Sequence, residues 1–132
     1  MLKRIDHIGV IVDNLDEARS FLERMGMEFD RDLHIEGRLK AAFYRCGDTM
    51  IEVIDIYEPG ERAKRLGQDQ ARVEHIAIEV DGLQQTLSAL QGLGIKTTSP
   101  DALKIGRTLN YWTDAATCDG VQYQFVEKEP AG

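Results

Sequence analysis

The chain has 132 residues, 42% of them hydrophobic and 30% charged, with a formal net charge of −7. This is the balance of an ordinary globule with a single domain's worth of core. It argues against nucleic-acid binding, because the basic residues are scattered among acids and form no basic face to displace counterions. No apolar run approaches the ~20 residues of a membrane span.

The N-terminal MLKRIDHIG enters a strand-like segment with no apolar targeting region, so a cytoplasmic protein is expected. Ile5 to Val12 is rich in Ile and Val and reads as a strand. Asn14 then offers an N-cap with Glu17 three residues on, and Leu15, Ala18, Leu22 and Met25 follow at helical spacing up to Gly26. Met27 to Phe29 reads as a short strand. EGRLKAAFYR and GDTMIEVIDI supply two further strands. The polar stretch from Tyr57 to Arg72 reads as a link with a short helix at Glu61 to Leu66.

Half a chain later the opening phrase returns. IDHIGVIVDNL and VEHIAIEVDGL agree at His7/His75, Ile8/Ile76, Val12/Val80, Asp13/Asp81 and Leu15/Leu83. Val73 to Val80 is again a strand, and Leu83, Leu87, Leu90 and Leu93 again form a stripe that Gly94 stops. Ile95 to Thr97 is the matching strand candidate. IGRTLNYWTD faces EGRLKAAFYR, and DGVQYQFVEK faces GDTMIEVIDI, with Thr113 to Cys118 as an insertion. The terminal EKEPAG reads as a frayed tail. Each half is thus β-α-β-β-β: module 1 at 5–56, a linker at 57–72 and module 2 at 73–128, within one domain spanning 1–132. The expected fold class is α+β, with paired βαβββ modules forming a curved, barrel-like mixed sheet around a central cleft.

Parity selects the chemistry, since alternate residues of a strand share a face. His7 lies with Gly9 and His75 with Ala77, small neighbours that leave room beside each imidazole. Glu52 and Gln124 occupy matching places in the last strand of each half. Taken alone, a strand His is a hydrogen-bonded core residue and a strand Glu faces solvent. The symmetric pairing of both types points instead to a metal site with imidazole, carboxylate and amide-oxygen donors. His34 has no symmetric partner and reads as surface. Glu127 has the wrong parity to join Gln124 and also reads as surface. Cys46 and Cys118 stand far apart and read as reduced thiols. Lys96, Lys104 and Arg107 are the cations a phosphorylated ligand would have to meet.

On RIDHIGVIVDNLDEA, GDTMIEVID, ARVEHIAIEVDGL, KIGRTLNYW and CDGVQYQFVE, the chain resembles the vicinal oxygen chelate superfamily. That family includes glyoxalase I, bleomycin-resistance proteins, extradiol dioxygenases and methylmalonyl-CoA epimerase, and the likeness is greatest to the epimerase. The resemblance implies four ligands, His7, Glu52, His75 and Gln124, for one divalent ion (Co, Ni, Zn, Mn or Fe). It implies an isomerase, epimerase or lyase that moves a proton next to a carbonyl, with a small carbonyl or thioester substrate, no membrane or nucleic-acid partner, and a homodimer. Glu52 is the candidate base, with Arg107 and Tyr111 as substrate contacts. Tyr111 and Trp112 point to opposite faces, so one of them lines the cleft. Arg38 is the counterpart of Arg107.

Two departures matter. Gln124 stands where the epimerases and glyoxalase I commonly carry Glu. Ala41 and Ala42 stand where some epimerases carry another Glu. Gln has no proton to exchange near neutral pH, so Glu52 is the one evident base. A lactoylglutathione lyase of the glyoxalase I kind, an extradiol-type dioxygenase using two His and one Glu, and a drug-binding protein without metal are the alternatives.

Overall fold

Residues 1–130 are described by a computed structural model of the chain. Of the expected terminal tail, Ala131 and Gly132 lie outside the described residues. The order is β1 (Leu2–Val12), α1 (Leu15–Arg24), β2 (Glu28–Ile35), β3 (Leu39–Cys46), β4 (Thr49–Ile56) and α2 (Pro59–Arg65). Then come β5 (Ala71–Val80), α3 (Leu83–Gly92), β6 (Leu103–Ile105), β7 (Thr108–Trp112) and β8 (Gln122–Lys128). The class is α+β, and both copies follow the expected β-α-β-β-β order. Among the described residues, no helix is long and apolar enough to cross a membrane.

Two units divide the chain: His7–Glu74, and Met1–Asp6 together with His75 onward. In the first, β1 runs parallel to β4, which pairs antiparallel with β3, and β3 pairs antiparallel with β2. The second repeats this, with β5 parallel to β8, β8 antiparallel to β7, and β7 antiparallel to β6. Both units depend on the same turn chemistry. The Gly37 and Gly106 of the repeated Gly-Arg pairs adopt φ of 74° and 57°, values that glycine reaches without strain.

In the first unit, α1 covers one face of its strands. Asn14 caps it by accepting from the Glu17 amide at 3.1 Å, as the sequence predicts. Leu15 and Leu22 bury against Val12, Ala42, Tyr44 and Val53. Met25, expected to continue the stripe, is 54% exposed, and Met27 packs there instead. The helix has already stopped at Arg24, so Met25 no longer faces the strands. On the opposite strand face, Ile11, Ala41, Ile54 and Ile56 enclose Leu66, which sits at the end of α2. The link therefore contributes a core residue. A fully buried leucine stabilises by about 1.5–3 kcal/mol. The link helix begins earlier than expected, at Pro59, where the fixed φ of proline suits a first helical position.

The second unit departs more from expectation. Leu83 packs with Val80, Tyr111 and Phe125, and Leu87 and Leu90 lean on them, but Leu93 is 77% exposed because α3 ends at Gly92. Ile95 to Thr97 forms no strand, only a single bridge from Thr97 to Thr113. Local bonds, from Thr97 to the Ser99 carbonyl and from Ser99 to the Asp101 carbonyl, turn the backbone there, and Pro100 has no N–H to donate. The edge is taken by β6 instead. Glu127 is not merely surface-facing. Its carboxylate accepts from the Gly82 amide at 2.8 Å and caps α3, whose own cap residue, glycine, has no side chain to do so.

A charged cluster closes this unit. Arg4 and Lys128 both reach Asp6 and Glu79, at 2.7–3.3 Å, and Lys3 reaches Glu79 at 3.3 Å. Burial alone would raise the Glu79 pKa, but the Arg4, Lys128 and Lys3 bonds outweigh it and hold the pKa below the ordinary carboxylate value. The stabilisation this supplies is present above that ordinary value, about 4.3, and is lost as pH falls through the depressed folded-state pKa. Acid unfolding followed by circular dichroism should therefore show wild type losing stability more steeply below about pH 4 than Glu79→Gln. Parallel pH dependences would show the cluster to be idle.

Candidate metal centre

Within the unit His7–Glu74, the register sets Gly9 opposite Glu52 and His7 opposite Met50. His7 and Glu52 therefore rise from the same strand face, and His7 Nε2 lies 3.3 Å from Glu52 Oε1. Both are 5% exposed. Phe43 meets the His7 ring edge-on at 5.3 Å, and the Arg31 guanidinium lies 4.0 Å over Phe43. The imidazole is thus held by an aromatic neighbour on one side and a carboxylate on another. Arg65 adds positive charge nearby. Burial works against its charge, but bidentate pairing with Glu74 at 2.5 and 2.6 Å, then the charges of Glu61 and Glu52, raise its pKa above the ordinary arginine value.

In the other unit, His75 opposes Gln122, and Ala77 opposes Gln124, the mirror of Gly9 and Glu52. His75 is 4% exposed and Gln124 6%. Gln124 Nε2 donates to Asn110 Oδ1 at 2.8 Å, which turns its Oε1 away from Asn110. Each unit thus holds one imidazole and one oxygen donor on a single strand face. The two histidines are also the first residues after the points where β1 and β5 pass from one unit to the other.

Within the unit His7–Glu74, the donor pair His7 and Glu52 fits a divalent cation. His7, Glu52 and His75 are buried side chains, each offering one ligand atom. Two ligands at ~2.1 Å from one ion and 90–110° apart lie about 3.0–3.4 Å from each other. The His7–Glu52 distance falls within that interval.

The remaining expected site residues are placed as follows. Tyr111 faces Phe125 and packs in the core under α3, on the face opposite Gln124. Trp112 is the aromatic residue that pairs with Gln124 and shares its face, half-buried. Arg107 lies exposed in the turn before β7, donating to the Pro130 carbonyl at 2.8 Å and facing Glu129 at 3.7 Å, and Lys104 meets the same Glu129 at 3.2 Å. His34 is exposed against Tyr57, and both cysteines are free thiols. Asn110 was not singled out from the sequence. A buried Asn in a strand, in parity with Trp112, was the available signal.

A family model described as Glyoxalase/Bleomycin resistance protein/Dioxygenase superfamily matches residues 6–113. The chain belongs to this superfamily. Two Bacillus subtilis (strain 168) proteins share sequence with this superfamily member. Uncharacterized protein YwbC is 31% identical over 101 residues, 73% of this chain and 75% of its own length. Uncharacterized protein YqjC is 28% identical over 92 residues, covering 67% of this chain and 66% of YqjC, just under two thirds of that relative. In fold, the chain is similar to methylmalonyl-CoA epimerase from Mycobacterium tuberculosis, with a TM-score of 0.87 at 18% identity over 98% of this chain and 90% of the other. It is also similar to a Streptomyces coelicolor methylmalonyl-CoA epimerase variant solved with 2-nitronate-propionyl-CoA, with a TM-score of 0.78 at 17% identity over 98% and 100%. At these identities the likeness is one of fold.

The placements of Tyr111 and Arg107 have separable consequences. Tyr111→Ala should destabilise by about 3–5 kcal/mol, as for other buried aromatics. Arg107→Ala should stay within about 0.5 kcal/mol, as for a solvated surface residue. Urea unfolding measures both. A small loss for Tyr111→Ala would contradict its place in the core.

Proposed function

We propose that the chain is a divalent-metal-dependent isomerase, epimerase or lyase that abstracts a proton next to a carbonyl. The four ligands in this reading are His7, Glu52, His75 and Gln124. One observation carries it: a buried carboxylate, Glu52, held 3.3 Å from the buried imidazole of His7, with the duplicated positions again occupied by an imidazole and an oxygen donor. Imidazole and carboxylate are ligand types that a divalent ion takes. Bound there, a divalent ion supplies Lewis-acid stabilisation of negative charge developing on a carbonyl oxygen.

The chain's own residues have distinct tasks. Glu52 is the one carboxylate of the set, an acceptor-only group when ionised, and would take the proton by leaving its place as a ligand. Phe43 packs edge-on against the His7 imidazole, which lies beside the carboxylate. Gln124 contributes an oxygen and no titratable proton, so proton transfer is one-sided. This favours a one-base isomerase or lyase over an epimerase that needs a base on each face. In Trp112 the reading has a half-buried aromatic surface beside Gln124 for a substrate.

A methylmalonyl-CoA epimerase of like fold has been solved with methylmalonyl-CoA, which makes that thioester the first substrate to test, with glutathione hemithioacetal as the second. In deuterated water, proton NMR should show exchange at the carbon next to the carbonyl of one of them. Glu52→Gln should slow exchange by about 10²–10⁴-fold. Absence of exchange with both substrates would exclude the epimerase-like and glyoxalase-like activities. Adding Ni, Co, Zn or Mn at 100 times its Kd should stabilise the protein by about 2.7 kcal/mol. A protein that gains no thermal stability from any of the four would point to metal-free ligand binding instead. The reading also takes the protein to be a cytoplasmic homodimer. Light scattering on the eluted protein checks the dimer, and a mass of one chain would contradict it.

A further inference from the structure

We infer that Asn110 is a positioning residue that locks Gln124 as a neutral oxygen donor and excludes a carboxylate from that place. The inference rests on the metal reading above. Its evidence is a directed chain of bonds within β6, β7 and β8. The Thr108 hydroxyl donates to the Ile105 carbonyl at 2.8 Å, so toward Asn110 it is an acceptor. Asn110 Nδ2 donates to that hydroxyl at 2.9 Å and to the Leu103 carbonyl at 3.2 Å. Turning the Asn110 amide over would set Oδ1 against two acceptors. Its orientation is therefore fixed, and Oδ1 faces Gln124, whose Nε2 donates at 2.8 Å. Asn110 is 1% exposed, so no solvent can substitute for a lost bond.

The consequence reaches the site. Gln124 must present its NH₂ to Asn110 and its carbonyl oxygen away from it. A glutamate at 124 would meet the Asn110 oxygen acceptor to acceptor, unless it kept a proton. The repeat supplies an internal comparison. The counterpart of Asn110 in EGRLKAAFYR is Ala41, buried and without a polar side chain, and there the donor position is the carboxylate Glu52. One copy pairs carboxylate with alanine and the other pairs amide with asparagine. With Gln124 locked, the donor set carries one negative charge, and the second face has no base.

The test exchanges the pairs. Mn²⁺ binding is measured by calorimetry for wild type, Asn110→Ala, Gln124→Glu and the double variant, with circular dichroism as the fold control. Asn110→Ala should weaken Mn²⁺ binding about 10–100-fold, as losing an outer-shell partner does. Combined with Gln124→Glu, which recreates the Glu52/Ala41 pairing, the same change should instead strengthen binding at least about tenfold over Gln124→Glu alone. A merely structural asparagine would weaken binding in both backgrounds, and that result overturns the inference while leaving the metal reading intact. Wild type binding no Mn²⁺ overturns both. Should Asn110→Ala fail to fold, Thr108→Val removes the acceptor that pins the amide. It should then weaken Mn²⁺ binding several-fold with Gln124 present and not at all beside Gln124→Ala, and equal effects in the two backgrounds overturn the inference.

Discussion

A carboxylate and an imidazole, held 3.3 Å apart and almost wholly out of water, set the terms for the rest of this structure. An ionised carboxylate buried without a partner is costly enough to unfold a small protein. The parallel pairing of β1 and β4 puts Glu52 on the His7 face, and Phe43 packs against that imidazole. The apolar cluster around Leu66 supplies the burial that fixes those strands. Strand parity does the positioning, and core packing keeps the register from slipping by a residue, which would turn both side chains to the other face.

The duplication explains how so small a chain builds two such donor pairs. Each unit repeats the same strand order and the same parallel pairing, so a histidine near the start of the first strand and an oxygen donor in the last meet on one face in both. The copies have then diverged around those positions. In the first, the surroundings are apolar, with Ala41, Ile11 and Ile54. In the second, Asn110 and Glu79 take buried places, and satisfying them requires the amide chain through Thr108 and the charges of Arg4 and Lys128. Symmetric donors in asymmetric surroundings give the two oxygens different roles, one able to accept a proton and one not.

Much of this was legible in the sequence because it depends on local rules. The repeat, the Asn14 cap, and the parity of His7, His75, Glu52 and Gln124 within their strands were readable from the residues themselves. What escaped depends on neighbours distant in sequence. Met25 and Leu93 fit a helical stripe but lie beyond the helix ends and are exposed. Leu66, read as part of a polar link, is buried because β3 and β4 leave it a place. Glu127 read as surface because its role, capping α3, is set by a strand from the far end of the chain. Tyr111 and Trp112 could be told apart as opposite in face, but which face meets the helix needed the fold.

The proposed reading takes His7, Glu52, His75 and Gln124 as the ligands of one cation. An anomalous-scattering map of cobalt-soaked crystals tests it most directly. The account predicts one peak per chain, with nitrogens of both His7 and His75 and oxygens of Glu52 and Gln124 within about 2.0–2.2 Å. A peak bound by only one of the two histidines, or none near either, would contradict it.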